Sequence, residues 1–236
     1  MIKKIISFAV IVSSFFIFNT YLHAATGPAN IYKITITKVE LCETGSTLSN
    51  CLNPVDITVG GGVADIDIAA VTAGESAGVV ADFGKGISGK TYTYVQTILS
   101  RSVIAKGSVA SCYTANDAAS GTSNGYATGT QTSGSEAEVT LLVPDFVDPT
   151  NYSMIEGSSD AAGTSLRVAG TVGASDTHFR ARKILTKPYT AKAGINPTVF
   201  LAFGTSGAIM NKAGTCGSAQ TLAAAPPDQT VTIQGQ

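Results

Sequence analysis

The segment from Gly86 to Ser100 constrains the fold of this 236-residue chain more than any other stretch. It begins at a glycine and continues as a run of β-branched and aromatic residues, which favours an extended strand. Side chains along a strand alternate between two faces. We predict that the face with both tyrosines is buried because it has the larger apolar area. The glutamine on that face must then have a hydrogen-bond partner or lie at the margin of the sheet. The residues of that face are Tyr92, Tyr94, Gln96 and Ile98.

Similar runs recur along the chain between turn residues, and no sustained helical period interrupts them. This pattern predicts an all-β fold, an antiparallel β-sandwich of the transthyretin or immunoglobulin type. The other predicted strands are Ile31–Leu41, Val55–Val59, Val63–Ile68, Ala77–Ala81, Val103–Val109, Glu138–Val143, Ser165–Val172, Phe179–Leu185, Thr198–Phe203 and Gln229–Ile233.

The first of these runs does not alternate strictly. Ile34 and Ile36 occupy one parity, whereas Val39 and Leu41 occupy the other. Because one inserted residue restores a common face, we predict a β-bulge near Thr37.

Residues 1–24 have the layout of a secretory signal peptide: a basic start with Lys3 and Lys4, an apolar core, and a small residue at Ala24. Cleavage after Ala24 is expected, and an uncleaved N-terminal anchor is the alternative. No later apolar run is long enough to span a membrane, so no stable transmembrane segment is expected after cleavage. The expected location is secreted, periplasmic or at the cell surface.

Charge and composition restrict the partners of the cleaved chain. Loss of Lys3 and Lys4 leaves 13 basic and 16 acidic residues. Nucleic-acid binding normally requires a strongly basic face, so nucleic acid is not an expected partner.

Four cysteines in an exported chain predict two disulfides rather than a metal site. Cys51 lies nine positions after Cys42, across a turn-like segment, so we pair these two and join Cys112 to Cys216. The second bond would tie the two halves of the chain together.

The segment 115–134 is rich in Ala, Ser, Gly, Thr and Asn and has little apolar surface, which indicates a long loop or a linker. It separates a β-rich N-terminal region, 25–114, from a β-rich C-terminal region, 135–236. Composition does not distinguish one large sandwich from two smaller sandwich units.

The region Tyr32–Val109 resembles an uncharacterised family of exported bacterial proteins with a transthyretin-like β-sandwich. The resemblance implies a fold for about a third of the chain and carries over no catalytic residue. It rests on the motifs Thr35-Ile36-Thr37-Lys38-Val39-Glu40-Leu41, Asp67-Ile68-Ala69-Ala70-Val71 and Gly89-Lys90-Thr91-Tyr92-Thr93-Tyr94-Val95.

A Gly-x-Ser-x-Gly pattern around Ser76 matches the nucleophile elbow of α/β-hydrolases. That elbow requires a parallel sheet, a following helix and a histidine later in the chain. Here glycines follow within two turns, and His178 is the one histidine after the leader. We therefore interpret Ser76 as a turn residue, and a serine esterase stays as an alternative.

Metal chemistry has few candidate ligands. Asp65 and Asp67 share a strand face, and Asp145 and Asp148 bracket a loop, which would suit calcium if further oxygen ligands were present. Solvated carboxylates are the simpler interpretation, so no metal and no cofactor is predicted.

His178, Arg180 and Arg182 share one parity of a predicted strand, with Lys183 next to them. We interpret this basic stripe as a solvated outer face or as charge that protects an edge strand. Its alternative is an anion-binding surface for acidic glycans or lipid head groups.

These observations favour an exported, non-enzymatic structural or adhesive protein of the cell surface or matrix, such as a fibre subunit. Its partner would be a second copy of itself or an extracellular glycan. A module that binds carbohydrate or another small ligand is the alternative, weakened by the absence of tryptophan.

Overall fold

The computed structural model describes residues 25–70, 80–115, 129–134, 136–211, 216–217, 221–226 and 228–234. The fold is all β, as predicted, and sandwich-like. The predicted signal peptide, Ser76, and most of the polar segment 115–134 lie outside the described residues.

The strands are numbered in chain order. A single 3-10 turn, Phe83–Lys85, lies among the described residues. The strands are β1 Ala25–Gly27, β2 Ala29–Glu43, β3 Val55–Asp56, β4 Val63–Asp67, β5 Thr91–Ser100, β6 Ser102–Val109, β7 Cys112–Thr114, β8 Gly129–Thr130, β9 Val139–Leu142, β10 Phe146–Val147, β11 Ile155–Ser158, β12 Thr171–Val172, β13 His178–Thr190, β14 Thr198–Gly204, β15 Ile209–Asn211, β16 Leu222–Ala224 and β17 Asp228–Gln234.

Twelve of the described strands form one large sheet. Its main path runs β10-β12-β11-β13-β5-β2-β6-β7-β8, with β3 and β4 pairing with β2, and β9 with β6. All of these pairs are antiparallel except β11 with β12. Because β5 pairs with β13, the regions on the two sides of segment 115–134 share one sheet.

Two smaller sheets contribute to the same apolar core as the large sheet. The two-stranded sheet β14-β17 contacts β13, where the Thr186 hydroxyl donates to the Val231 carbonyl at 3.1 Å. The sheet β1-β15-β16 contacts β6 and β9, and the buried Tyr32 hydroxyl donates to the Ala225 carbonyl at 2.8 Å. Buried residues Ile209 and Val231 belong to this core.

The break in alternation along β2 is a β-bulge, as predicted. Ile36 lies opposite Leu99 and Lys38 lies opposite Ile98, so Thr37 is the inserted residue. The bulge places Ile34 and Ile36 in the same buried core as Val39 and Leu41.

The predicted buried face of β5 is wrong in one respect, because both faces of the strand are covered. Val95 and Leu99, from the face expected to be exposed, belong to the main core, whereas Tyr94 is only half-buried. In addition, Thr93 has no paired residue on either neighbouring strand, β2 or β13. This second bulge moves Tyr92 to the Val95 side, where its ring stacks on Tyr189 with centroids 6.2 Å apart.

The corrected register makes a prediction that distinguishes the two faces. Val95→Ala should lower the free energy of unfolding by about 2 kcal/mol, because it removes two buried methyl groups and leaves a cavity. Tyr94→Ala, at a half-buried position of the other face, should lower it less despite the larger side chain. Urea denaturation of the two variants measures the difference, and a larger loss for Tyr94→Ala would contradict this register.

Candidate functional site

The basic stripe of β13 is the strongest candidate site from the sequence, and the structure places its members on two faces. Arg180 and Arg182 face the side of the sheet opposite the main core, whereas Lys183 lines a cavity on the core side. Arg182 is 1% exposed. The interpretation of a solvated face is therefore wrong for Arg182, which is a buried cation.

Arg182 is the centre of a set of contacts that we call the cross-sheet polar network, formed by Lys38, Glu40, Gln96, Glu156, Arg180 and Arg182. Its Nε donates to Gln96 Oε1 at 2.9 Å, and its Nη2 donates to Glu156 Oε2 at 3.1 Å. Its Nη1 donates to the carbonyl of Leu48. Burial lowers the pKa of the Arg182 guanidinium, and the charge of Glu156 opposes this effect. Arginine is the most basic side chain in proteins, so Arg182 stays charged.

The network continues across the sheet on both sides of Arg182. Gln96 Nε2 donates to Glu40 Oε2 at 2.6 Å, and Lys38 Nζ pairs with Glu40 Oε1 at 2.6 Å. On the other side, Arg180 Nη1 lies 3.5 Å from Glu156 Oε2. The network thus spans four neighbouring strands, β2, β5, β13 and β11. Gln96 has the partner that its burial requires.

Two loops cover this face of the sheet. The loop closed by the Cys42–Cys51 disulfide supplies the Leu48 carbonyl to Arg182. The loop 159–165 supplies the Gly163 carbonyl to Arg180 Nη2 at 3.0 Å. Gly163 has φ +67°, and a Cβ there would lie 2.3 Å from Ile98 Cδ1, so glycine permits this close approach.

The second loop is organised by Asp160. Its carboxylate accepts from the amides of Thr164 and Ser165, at 3.0 and 2.7 Å, and from the Thr164 hydroxyl at 3.0 Å. These hydrogen bonds hold the pKa of Asp160 well below its usual range. The carboxylate therefore stays charged and maintains the loop over the network.

His178, the fourth member of the stripe, lies at the start of β13 away from the network. Its Nδ1 lies 2.9 Å from the Thr177 hydroxyl. Burial lowers the pKa of His178, and the charge of Asp160 opposes this effect.

Three of the four aspartates considered for calcium have protein partners in the structure. Asp67 accepts from the amides of Tyr32 and Ala69, Asp145 pairs with the buried Arg101, and Asp148 caps the turn at Asn151. Asp65 is exposed. No cluster of three or more potential metal ligands occurs within the described residues.

All four cysteines are oxidised. Cys42 is bonded to Cys51, and Cys112 to Cys216, which is the pairing expected from the spacing. The second bond joins residues 104 positions apart and links the large sheet to the segment before β16. In the part of the chain that is described, no helix has the length and apolarity needed to cross a membrane.

Sequence reasoning missed Glu156, which neutralises both arginines. It lies on β11, a four-residue strand containing Gly157 that carries no strand signal of its own. A Cβ at Gly157 would lie 2.1 Å from Asp176 Oδ2, so packing rather than strand propensity selects the residue. No sequence signal marked Glu156, because a buried cation requires a carboxylate partner and the burial of Arg182 is known only from the structure.

Comparisons of the chain with protein-family models, with curated proteins and with solved structures found no match.

Proposed function

We propose that this chain is an exported, non-enzymatic structural or adhesive protein of the cell surface or matrix, with a fibre subunit as the most specific form. The observation that carries the proposal is the cross-sheet polar network. It joins charged groups on three strands, and the Gln96 amide on a fourth, and so holds the sheet and its two covering loops together. Hydrogen bonds and ion pairs that join buried groups across neighbouring strands rigidify a fold, which suits a structural subunit. Within the network, the Nε of Arg180 is the one buried side-chain atom that has no partner among the described residues.

The disulfides support the exported location. Such bonds persist in oxidising compartments, and the signal-like segment 1–24 would direct the chain there. The location favoured is therefore secreted, periplasmic or cell-surface.

A second copy of the chain is the favoured partner, and an extracellular glycan is the other one considered. Val147, on β10 at one end of the large sheet, is 79% exposed, and Val168, beside β12, is 75% exposed. Exposed apolar residues at a sheet edge favour pairing with another sheet. We assign the assembly contact to this edge, formed by Val147 and Val168.

Immunogold labelling of intact cells, together with cell fractionation, tests the proposed function. We expect the label on the outer surface or in the matrix, in a fraction that releases the chain only after denaturation. A chain found entirely as free material in the periplasm would contradict the structural role. Stoichiometric labelling of Ser76 by a fluorophosphonate, abolished by His178→Ala, would instead support the esterase.

A further inference from the structure

A cavity of about 110 Å³ lies between the large sheet and the two-stranded sheet β14-β17. Its wall is mostly apolar and includes Leu99, Met154, Phe179 and Phe203. This volume approaches that of cavities that hold one benzene-sized group, roughly 150 Å³. Since the cavity is smaller than this, a short aliphatic chain fits within it, and a ring would extend into its open side.

Two polar side chains line this apolar cavity from opposite layers. On β17, Gln229 shares its parity with the buried Val231 and Ile233, so it lies in an inward-facing row. On β13, Lys183 shares its parity with the buried Phe179 and Leu185. The alternation of buried residues along each strand predicts an apolar side chain at both positions.

The described residues provide neither a hydrogen-bond acceptor for Gln229 Nε2 nor an ion-pair partner for Lys183. Gln229 Nε2 is buried and has no hydrogen-bond partner there. Lys183 takes part in none of the ion pairs of the described residues. A buried donor without an acceptor destabilises the fold, so its presence beside a cavity calls for an acceptor that enters from outside.

We propose that this cavity is a binding site for a small carboxylate with an apolar body, either an aromatic ring or a short aliphatic chain. The body fills the apolar space, while the carboxylate accepts from the Gln229 amide and pairs with the Lys183 ammonium. A hydrogen bond between charged groups in a partly enclosed site is stronger than its neutral counterpart. The site does not depend on the structural role proposed above, because the cavity lies on the opposite face of β13 from the network.

Benzoate and benzylamine are the matched probes, since they share a ring and differ in the sign of their charge. Methyl NMR spectra of the chain from residue 25 should show benzoate-dependent shifts at Leu99, Met154 and Ile155, all of which line the cavity. Benzylamine should leave these signals in place. Equal shifts with both probes, or none with benzoate at about 10 mM, would overturn the proposal.

Lys183→Met keeps the length of the side chain and removes its charge. We expect it to weaken benzoate binding about tenfold or more, because a charge-assisted contact is lost. Gln229→Leu removes the amide and should weaken binding as well. Lys187→Met is the control, since Lys187 is exposed on the same strand and does not line the cavity. Unchanged benzoate affinity in both cavity variants would overturn the proposal, and Lys183→Gln replaces Lys183→Met if the latter fails to fold.

Discussion

Arg182→Met is expected to lower the free energy of unfolding by about 3 to 5 kcal/mol, because it leaves Glu156 buried with a weakened set of partners. The guanidinium is 1% exposed and contacts Gln96, Glu156 and the Leu48 carbonyl. Glu156 would keep only the 3.5 Å contact with Arg180. Urea denaturation, followed by circular dichroism, measures the loss.

A second substitution distinguishes loss of the ion pair from loss of packing. The double variant Arg182→Met with Glu156→Gln removes the carboxylate that Arg182 neutralised, so part of the lost stability should return. The recovery is incomplete because Arg180 loses its contact with Glu156. Lys187→Met, at an exposed position of the same strand, should change stability by less than about 0.5 kcal/mol. A loss below about 1 kcal/mol for Arg182→Met would show that the arginine is solvated and would contradict the network.

Removal of the Cys112–Cys216 disulfide by serine substitution of both cysteines should destabilise the chain by about 4.8 kcal/mol. The bond closes a loop of 104 positions, so its loss restores a large conformational entropy to the unfolded chain. The Cys42–Cys51 bond closes a loop of nine positions, and the same argument gives about 2.7 kcal/mol for its removal. Chemical denaturation without reductant compares the two double variants.

The order of the two losses is the informative result. A larger loss for the Cys112–Cys216 pair supports its role in linking the large sheet to the segment before β16. An equal or larger loss for the Cys42–Cys51 pair would contradict that role. It would indicate instead that the short loop stabilises the fold mainly through its contacts, such as the Leu48 carbonyl that accepts from Arg182.

The long strands β2, β5, β6 and β13 and one bulge of this fold were predictable because they depend on local patterns. The predicted strand Ser165–Val172 is a strand only at Thr171–Val172. The change of parity between Ile36 and Val39 could be resolved only by an inserted residue, and the structure has it at Thr37. The bulge at Thr93 was not predictable. Alternation through Tyr92 and Tyr94 continues unbroken in the sequence, and only pairing with β2 and β13 shows the shift.

The candidate site was less predictable because its burial is a tertiary property. Alternation placed Arg180 and Arg182 on one face of a strand correctly. It could not show that the loops 44–53 and 159–165 cover that face, nor that Glu156 comes from a strand without a sequence signal. The same limit applies to Lys183, whose cavity partner Gln229 lies 46 positions away on a separate sheet.

Sedimentation velocity of the chain from residue 25, over a range of concentrations, tests the proposed structural role most directly. We predict species larger than a monomer that grow with concentration, and a shift towards monomer in the double variant Val147→Lys with Val168→Lys. Ile195→Lys, at another exposed apolar residue, should leave the distribution unchanged. A chain that stays monomeric at every concentration, in the unsubstituted protein and the variants alike, would contradict assembly through this edge.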